Sequence, residues 1–528
     1  MKNSFLLIML IVCICGCNRF LDTKPIDTLT PEQYYQTEEQ LNTALIGVYD
    51  IIGQEAVYGS NIFSSIGACT DEGWHARSTL TAGLQVYNFD YSNGDVRNFW
   101  RALYSGIERA NLLIASVNKP VMDSAKRSII LGQALFLRGY YHFLLVSSFG
   151  DVPLQITPTA SVNNTSIPRT PSKDVYAQIL KDMTEAEQRV QTATVLGTSS
   201  RISKTTVQGI LARVCLYMAG EPLKDRSKYA EASDWAKKVL RSGEHALRTT
   251  FDASITNSAY SQVFINQIRN VYDVKESMWE ADFFGNYTDA YREAGRVGNV
   301  NGIAYTASPS FNDTGYSYGF INVTGKLYNL YQANDTRRDW AIAPYYYNGT
   351  ARTTWAANSS VYNRNCGKWR RSYELPASGG KNQNYTPENF PILRYADVLL
   401  MLAEAENEVR GTSDTALLAL NLVRARAGAT EFKGPTAITD PAILQTVIRD
   451  ERARELCFEG LRRPDLIRWG TFVSTMKAVA AQFATDNATG GLLYGTLGYN
   501  NVSERHLLLP IPASEISVNR AMVQNPGW

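Results

Sequence analysis

The stretch 124–148, SAKRSIILGQALFLRGYYHFLLVSS, constrains the fold more than any other part of the chain. At helical spacing Phe136, Tyr140 and Phe143 form one apolar stripe, and Leu137, Tyr141, Leu144 and Leu145 form a second. A helix that is apolar on two sides has to lie between other elements. Neighbouring segments supply the partners. Residues 100–117 read as its antiparallel mate. Residues 173–190, capped by Ser172, put Val175, Ile179, Met183 and Ala186 on one face. Residues 204–219 carry Val207, Ile210, Leu211, Val214 and Met218, while Gly209 and Ala212 permit close helix contact. Residues 229–240 complete this group. Helices resume at 394–409, 415–427 and 442–460, and units of about 34 to 40 residues predict tetratricopeptide-like stacking. From about 245 to 390 the helical period fades, and Gly, Asn, Ser, Thr and Tyr predict loops and short strands. The expected fold is mainly α: a tetratricopeptide-like scaffold of helical pairs with a long irregular insertion.

The N-terminus follows a different logic. Lys2 precedes an unbroken apolar run from Phe5 to Cys15, about ten residues too short for a membrane-spanning helix. Charge, short apolar core and small residues before the break make a secretory signal. Ile14-Cys15-Gly16-Cys17 looks like the bacterial lipobox, whose last cysteine is lipidated and becomes the first mature residue. The competing reading is an ordinary cleaved signal. The expected division is a signal peptide at 1–16, a lipidated tether at 17–35, an N-terminal helical part at 36–244, the insertion at 245–390 and a C-terminal helical part at 391–528. A helix start is expected at Thr30-Pro31-Glu32, with threonine as cap. No other apolar stretch is expected to reach the ~20 residues of a membrane helix.

A net charge of +2 and the absence of a basic stripe point away from nucleic acid. Once the signal is removed, Cys69, Cys215, Cys366 and Cys457 remain, scattered and without metal-ligand spacing; they read as buried thiols. The four His are equally dispersed, so neither a metal site nor a cofactor is expected. The 30 Tyr and 9 Trp stand out, because Tyr is common at recognition surfaces.

Seven segments in consistent order resemble the RagB/SusD family. They are CNRFLDTKP (17–25), FLRGYYHFLLVSSFGDVPL (136–154), RISKTTVQGILARVCLYMAG (201–220), PILRYADVLLMLAEAENEV (391–409), ALNLVRARAG (419–428), RDERARELCFEGLRRPDLIRWG (449–470) and LLLPIPASEISVNRAMVQNPGW (507–528). The resemblance implies a lipid-anchored outer-membrane protein of Bacteroidetes that faces outward. It also implies a role in capping a TonB-dependent, SusC-like transporter and delivering a glycan or other nutrient to it.

The charges in these motifs read as structural. Arg452 and Glu455, Arg462 and Asp465, and Asp465 and Arg468 are each three apart, the spacing of a salt-bridge lattice. Glu404 and Glu406, two apart, diverge on a helix and cannot flank one bond; they read as solvated or salt-bridged. Asp335, Arg337 and Arg338 read as a structural turn, and Trp100, Trp235 and Trp469 as core. A sugar site needs flat aromatic platforms with polar groups at the rim, since buried unpaired hydroxyls are costly. Trp74 with Asp71 and Arg77, in CTDEGWHARSTL, is the leading candidate, followed by Tyr287, Tyr305 and Tyr318 in the insertion. The competing functions are a lipid-anchored glycoside hydrolase, which needs two carboxylates about 5 to 10 Å apart, and a helical scaffold that binds only protein.

Overall fold

Helix α1 (Glu38–Gly53) begins where the Thr37 hydroxyl accepts from the Gln40 amide and Glu38 and Glu39 fill the first turn. The structure, a computed structural model, describes residues 34–528 apart from 162, 164–165, 285–294, 308–313, 376–380 and 490. Cys17, the expected start at Thr30-Pro31-Glu32 and Tyr287 lie outside the described residues.

Helix α2 (Gly94–Ser116) starts earlier than its apolar period suggests, because Asn93 accepts from the amides of Asp95 and Val96. Helix α3 (Ser124–Phe149) is the two-sided helix, with Phe136, Leu137, Tyr140 and Tyr141 fully buried. Gly106 of α2 sits so close to it that a Cβ there would lie 2.5 Å from the Tyr141 ring. By length and composition α3 is apolar enough to cross a membrane, contrary to expectation, but its apolar faces are covered by the fold.

Helix α4 (Ser172–Glu187) takes Ser172 as its first residue, not its cap; Asp151 accepts from the Ser172 amide and hydroxyl instead. Helix α5 (Lys204–Ala219) spans the expected residues and packs against α6 (Lys228–Ser242). Gly209 serves close approach as expected, but to a strand: its Cβ would sit 2.6 Å from Leu393. Helix α7 (Ala259–Ile268) lies inside the insertion and was not expected, since Tyr260 through Ile268 are all buried and show no one-sided period.

The C-terminal layer is α8 (Tyr395–Arg410), α9 (Asp414–Arg426) and α10 (Pro441–Leu456), followed by α11 (Arg462–Arg468) and α12 (Phe472–Asp486). The helix expected at 442–460 stops at Leu456, and Phe458 turns the chain with φ 65°. Trp100 is core, as expected, whereas Trp235 and Trp469 are only half-buried. All four described cysteines are free and buried.

Among the described residues there are three two-stranded antiparallel sheets, two of which fasten the insertion. Strand β1 (Gly73–His75) pairs with β3 (Ile321–Val323), with Trp74 opposite Asn322. Strand β2 (Ser277–Ala281) pairs with β6 (Phe390–Arg394), tying the start of the insertion to its end. Strands β4 (Tyr345–Asn348) and β5 (Ala351–Thr354) form a hairpin.

A buried ionic lattice joins these parts. Arg337, fully buried, pairs with Asp335, Glu451 and Glu455. Arg394 pairs with Glu276, Glu455 and Glu459, and Arg426 with Glu276 and Glu455. The expected lattice is present, but two of its three i,i+3 pairs are not. Arg452 reaches Asp397 on α8 and Asp465 on the next helix, and Arg462 reaches Asp71 across the fold; of the three expected pairs only Asp465–Arg468 forms. Glu404, fully buried, accepts from both Arg468 terminal nitrogens and from Trp469 Nε1. Glu406 binds Lys237 and Ser233. Asp335 and Arg337 form the expected structural turn, while Arg338 stays near the surface with Asp339.

Removing one member of such a lattice leaves its partners buried and unpaired. Glu455→Gln is expected to cost about 3–5 kcal/mol in chemical denaturation, because Arg337, Arg394 and Arg426 all lose a carboxylate. Burial pushes the Glu72 carboxyl up to about 8 from 4.5, with neighbouring Asp71 adding to the rise against the pull of Arg462. A raised acid stabilises the fold below its unfolded value, and that stability is lost as pH rises. The Glu72 contribution is therefore expected to fall between about pH 4.5 and about pH 8, read as a decline over that range in the transition temperature of the wild type relative to Glu72→Gln.

Candidate functional site

Successive side chains of a strand point to opposite faces, and this alternation decides the site. In β1, Trp74 turns inward. It is 1% exposed and meets Phe483 edge-on at 5.1 Å and Tyr494 at 5.5 Å. The next residue, His75, faces the other way and stacks on Phe320 at 5.1 Å. Trp74 is thus sealed inside and offers no platform to an incoming ring, contrary to expectation. Asp71 is also corrected. It is 2% exposed, with Arg462 donating to both carboxylate oxygens at 2.8 Å and Lys326 adding a third bond at 2.7 Å. Burial alone would raise its carboxyl, but Arg462 and Lys326 hold it well below the usual range. Asp71 therefore belongs to the ionic lattice.

Arg77 is exposed and lies against the aromatic segment of the insertion. It donates to the Tyr318 carbonyl at 2.8 Å and sits 4.9 Å from the Phe320 ring centre. Tyr316, Tyr318 and Phe320 are spaced two apart and their rings form one row, with the chain turning at Gly319 (φ 56°) between the last two. Tyr316 meets Tyr318 edge-on at 5.0 Å, and Tyr318 stacks on Phe320 at 4.9 Å and 18°. The Tyr318 hydroxyl donates to Asn384 Oδ1, and Arg296 lies 6.0 Å from its ring centre. Tyr305, expected as a contact, is 2% exposed. Its backbone pairs with Ser317 and its ring meets Tyr347, so it supports the aromatic row from behind.

Beside this row opens a cleft of about 320 Å³ whose wall includes His75 and Phe320. Glu55, Asn61, Ser64, Gln85, Asn98 and Arg296 bring polar groups to it. Three buried polar atoms of lining residues, Asn61 Oδ1, His75 Nδ1 and Arg296 Nε, lack a hydrogen-bond partner among the described residues. Burial, with Arg77 nearby, pushes the His75 ring down to about 4, so it is neutral at physiological pH. Such a surface can stack an apolar ring face and supply donors and acceptors to hydroxyls. A second aromatic group stands on the β4–β5 hairpin, where Tyr346 packs on Trp355 at 4.5 Å and Arg352 lies over Tyr345 and Tyr347. Among the described residues no group of three or more His, Cys, Asp or Glu could hold a metal ion.

His75, Phe320, Tyr316, Arg296 and Asn61 were not anticipated. The i, i+2, i+4 aromatic spacing in YSYGF carried the signal for two of them, Tyr316 and Phe320. The cleft polar groups come from distant segments and left none.

This combination, a helical-pair scaffold carrying a polar cleft with an aromatic edge, defines a ligand-binding class of protein. Residues 275–528 match the family described as SusD family, and residues 19–216 match the one described as starch-binding associating with outer membrane. The chain belongs to the RagB/SusD family. It is 25% identical to SusD-like protein P2 of Formosa agariphila over 100% of both chains. A SusD homolog of Bacteroides thetaiotaomicron shares the fold with TM-score 0.85 and 28% identity, covering 94% of this chain and 98% of that one. Surface glycan-binding protein A of the same organism, solved with laminarihexaose, aligns with TM-score 0.69 and 22% identity, covering 93% of this chain and 100% of that one.

Trp74→Ala tests the corrected assignment. As a buried ring it is expected to cost about 3–5 kcal/mol of stability, whereas a surface platform would leave the denaturation midpoint unchanged.

Proposed function

We propose that this chain is a non-catalytic surface lipoprotein, acylated at Cys17, that captures a glycan and delivers it to a partner TonB-dependent transporter of the outer membrane. The observation that carries the reading is the polar cleft: Glu55, Asn61, Ser64, Gln85, Asn98 and Arg296 line it beside a stacked row of aromatic rings. A hydroxyl-rich ring exchanges hydrogen bonds with such groups while its C–H face covers the aromatics. The relative solved with laminarihexaose supports a glycan as ligand. In this reading 245–390 is the ligand-facing part, with Arg77 and Tyr318 as contacts, and Trp74, Asp71 and Tyr305 hold the site from below. The transporter, the lipid anchor and the outward orientation rest on the family resemblance and on the lipobox. A surface cleft encloses less of a ligand than a closed pocket, so retention tightens when the transporter supplies further walls.

Titration of the protein with laminarihexaose and maltohexaose, with product analysis, tests this. Binding without cleavage is expected. Tyr318→Ala is expected to weaken it about 2- to 12-fold, the worth of one aromatic stack, with the melting temperature nearly unchanged. Released shorter sugars would replace the reading with a hydrolase. Cys17→Ser is expected to move the protein from the membrane fraction to the soluble fraction; unchanged fractionation would remove the lipid anchor.

A further inference from the structure

Arg371 is the best-connected side chain under the aromatic row. It is 3% exposed and lies in a single turn of 3-10 helix, Arg371–Tyr373. Its Nη1 donates to the Tyr316 carbonyl at 2.6 Å, within the segment that bears Tyr316, Tyr318 and Phe320. The same nitrogen reaches the Gln383 carbonyl at 3.5 Å, and Nη2 donates to the carbonyls of Asn382 at 2.9 Å and Tyr385 at 3.4 Å. Those three residues flank Asn384, which accepts from the Tyr318 hydroxyl. Glu374 orients the guanidinium by accepting from Nε at 2.5 Å and from Nη2 at 3.2 Å. One planar cation thus gathers backbone carbonyls from two loops that contribute Tyr318 and Asn384. A Cβ at Gly315 would lie 2.7 Å from the Arg371 Cβ, so the first loop rests directly on this side chain.

We infer that Arg371, held by Glu374, is the positioning residue of the ligand platform: it fixes the Tyr316–Phe320 segment against the 382–385 loop, without itself touching ligand. This rests on the glycan-binding reading of the Tyr318 site. The chemistry favours arginine. Its fixed fork of donors reaches several carbonyls in one plane, whereas a lysine ammonium keeps the charge but has a single donor centre.

Glu388 adds a proton to the device. It is fully buried and faces Glu374 and Arg371 from the 371–374 turn and Lys381 from its own segment, with the Gly298 turn packed on its carboxylate. Burial, then the Glu374 carboxylate, pushes its carboxyl well above the usual range. The neutral acid leaves Glu374 free to hold Arg371. Loss of that proton at higher pH places a second negative charge beside Glu374 and competes for the guanidinium.

The test uses the full chain with Arg371→Lys and Glu388→Gln, read in two ways. Without ligand, hydrogen exchange of residues 314–320 and 381–386 is measured. Arg371→Lys is expected to accelerate exchange in both loops together while the scaffold helices keep their protection. With ligand, laminarihexaose titration is expected to show at least a tenfold loss for Arg371→Lys. Wild-type affinity and loop protection are expected to fall as pH rises well above the usual carboxylate range, and Glu388→Gln to flatten both profiles, because the amide cannot ionise. Unchanged exchange in Arg371→Lys, or loss of protection throughout the molecule, would overturn the positioning role. If wild type binds no glycan, the functional reading fails, and the exchange data still decide what Arg371 holds.

Discussion

The structure depends on a set of arginines and carboxylates removed from water. Glu455 alone pairs with Arg337, Arg394 and Arg426, which come from the insertion, from the strand that ends it and from helix α9. Burying charge is expensive unless every ion has several partners in good geometry. The lattice meets that demand by drawing partners from parts of the chain far apart in sequence. That makes it a device of specificity more than of raw stability: a wrongly docked insertion would leave several ions unpaired in a dry interior.

The candidate site inherits its rigidity from this arrangement. Asp71 and Glu72 lie two and one residues before β1, and Arg462 draws Asp71 into the lattice. Strand β1 is thereby fixed at its base, and its alternation sends Trp74 into the apolar cluster and His75 to the cleft wall. Strand β3 continues directly from Phe320, so the aromatic row is registered against β1 by the pairing of His75 with Ile321. Binding groups that stand on such a frame need little reorganisation when a ligand arrives, which lowers the entropic cost of association.

The scaffold was legible in the sequence because helix periods are local. The 204–219 helix was readable from its stripe, and the two-sided burial of 124–149 from its doubled stripe. Boundaries failed where a cap or a turn overrode the period, as with Asn93 before α2 and Phe458 after α10. The hidden helix Ala259–Ile268 failed for the opposite reason: a segment buried all round has no face to reveal. In CTDEGWHARSTL the expectation fell on Trp74, whose ring is buried, while His75, which lines the cleft, was not anticipated. Ring size suggested a platform, while the strand that decides which ring faces outward is only three residues long.

The sequence by itself determined the helical-pair scaffold, the family and the loops from which a site is built, since these are written in periods, motif order and composition. Only the tertiary structure decided which aromatics are exposed and which carboxylates are spent on arginines. Asp71 lies across the fold from its partner Arg462, as Arg337 does from Glu455, and a one-residue alternation inverts the face of every side chain in a strand. Distances between segments hundreds of residues apart are set by packing, and no local pattern encodes them.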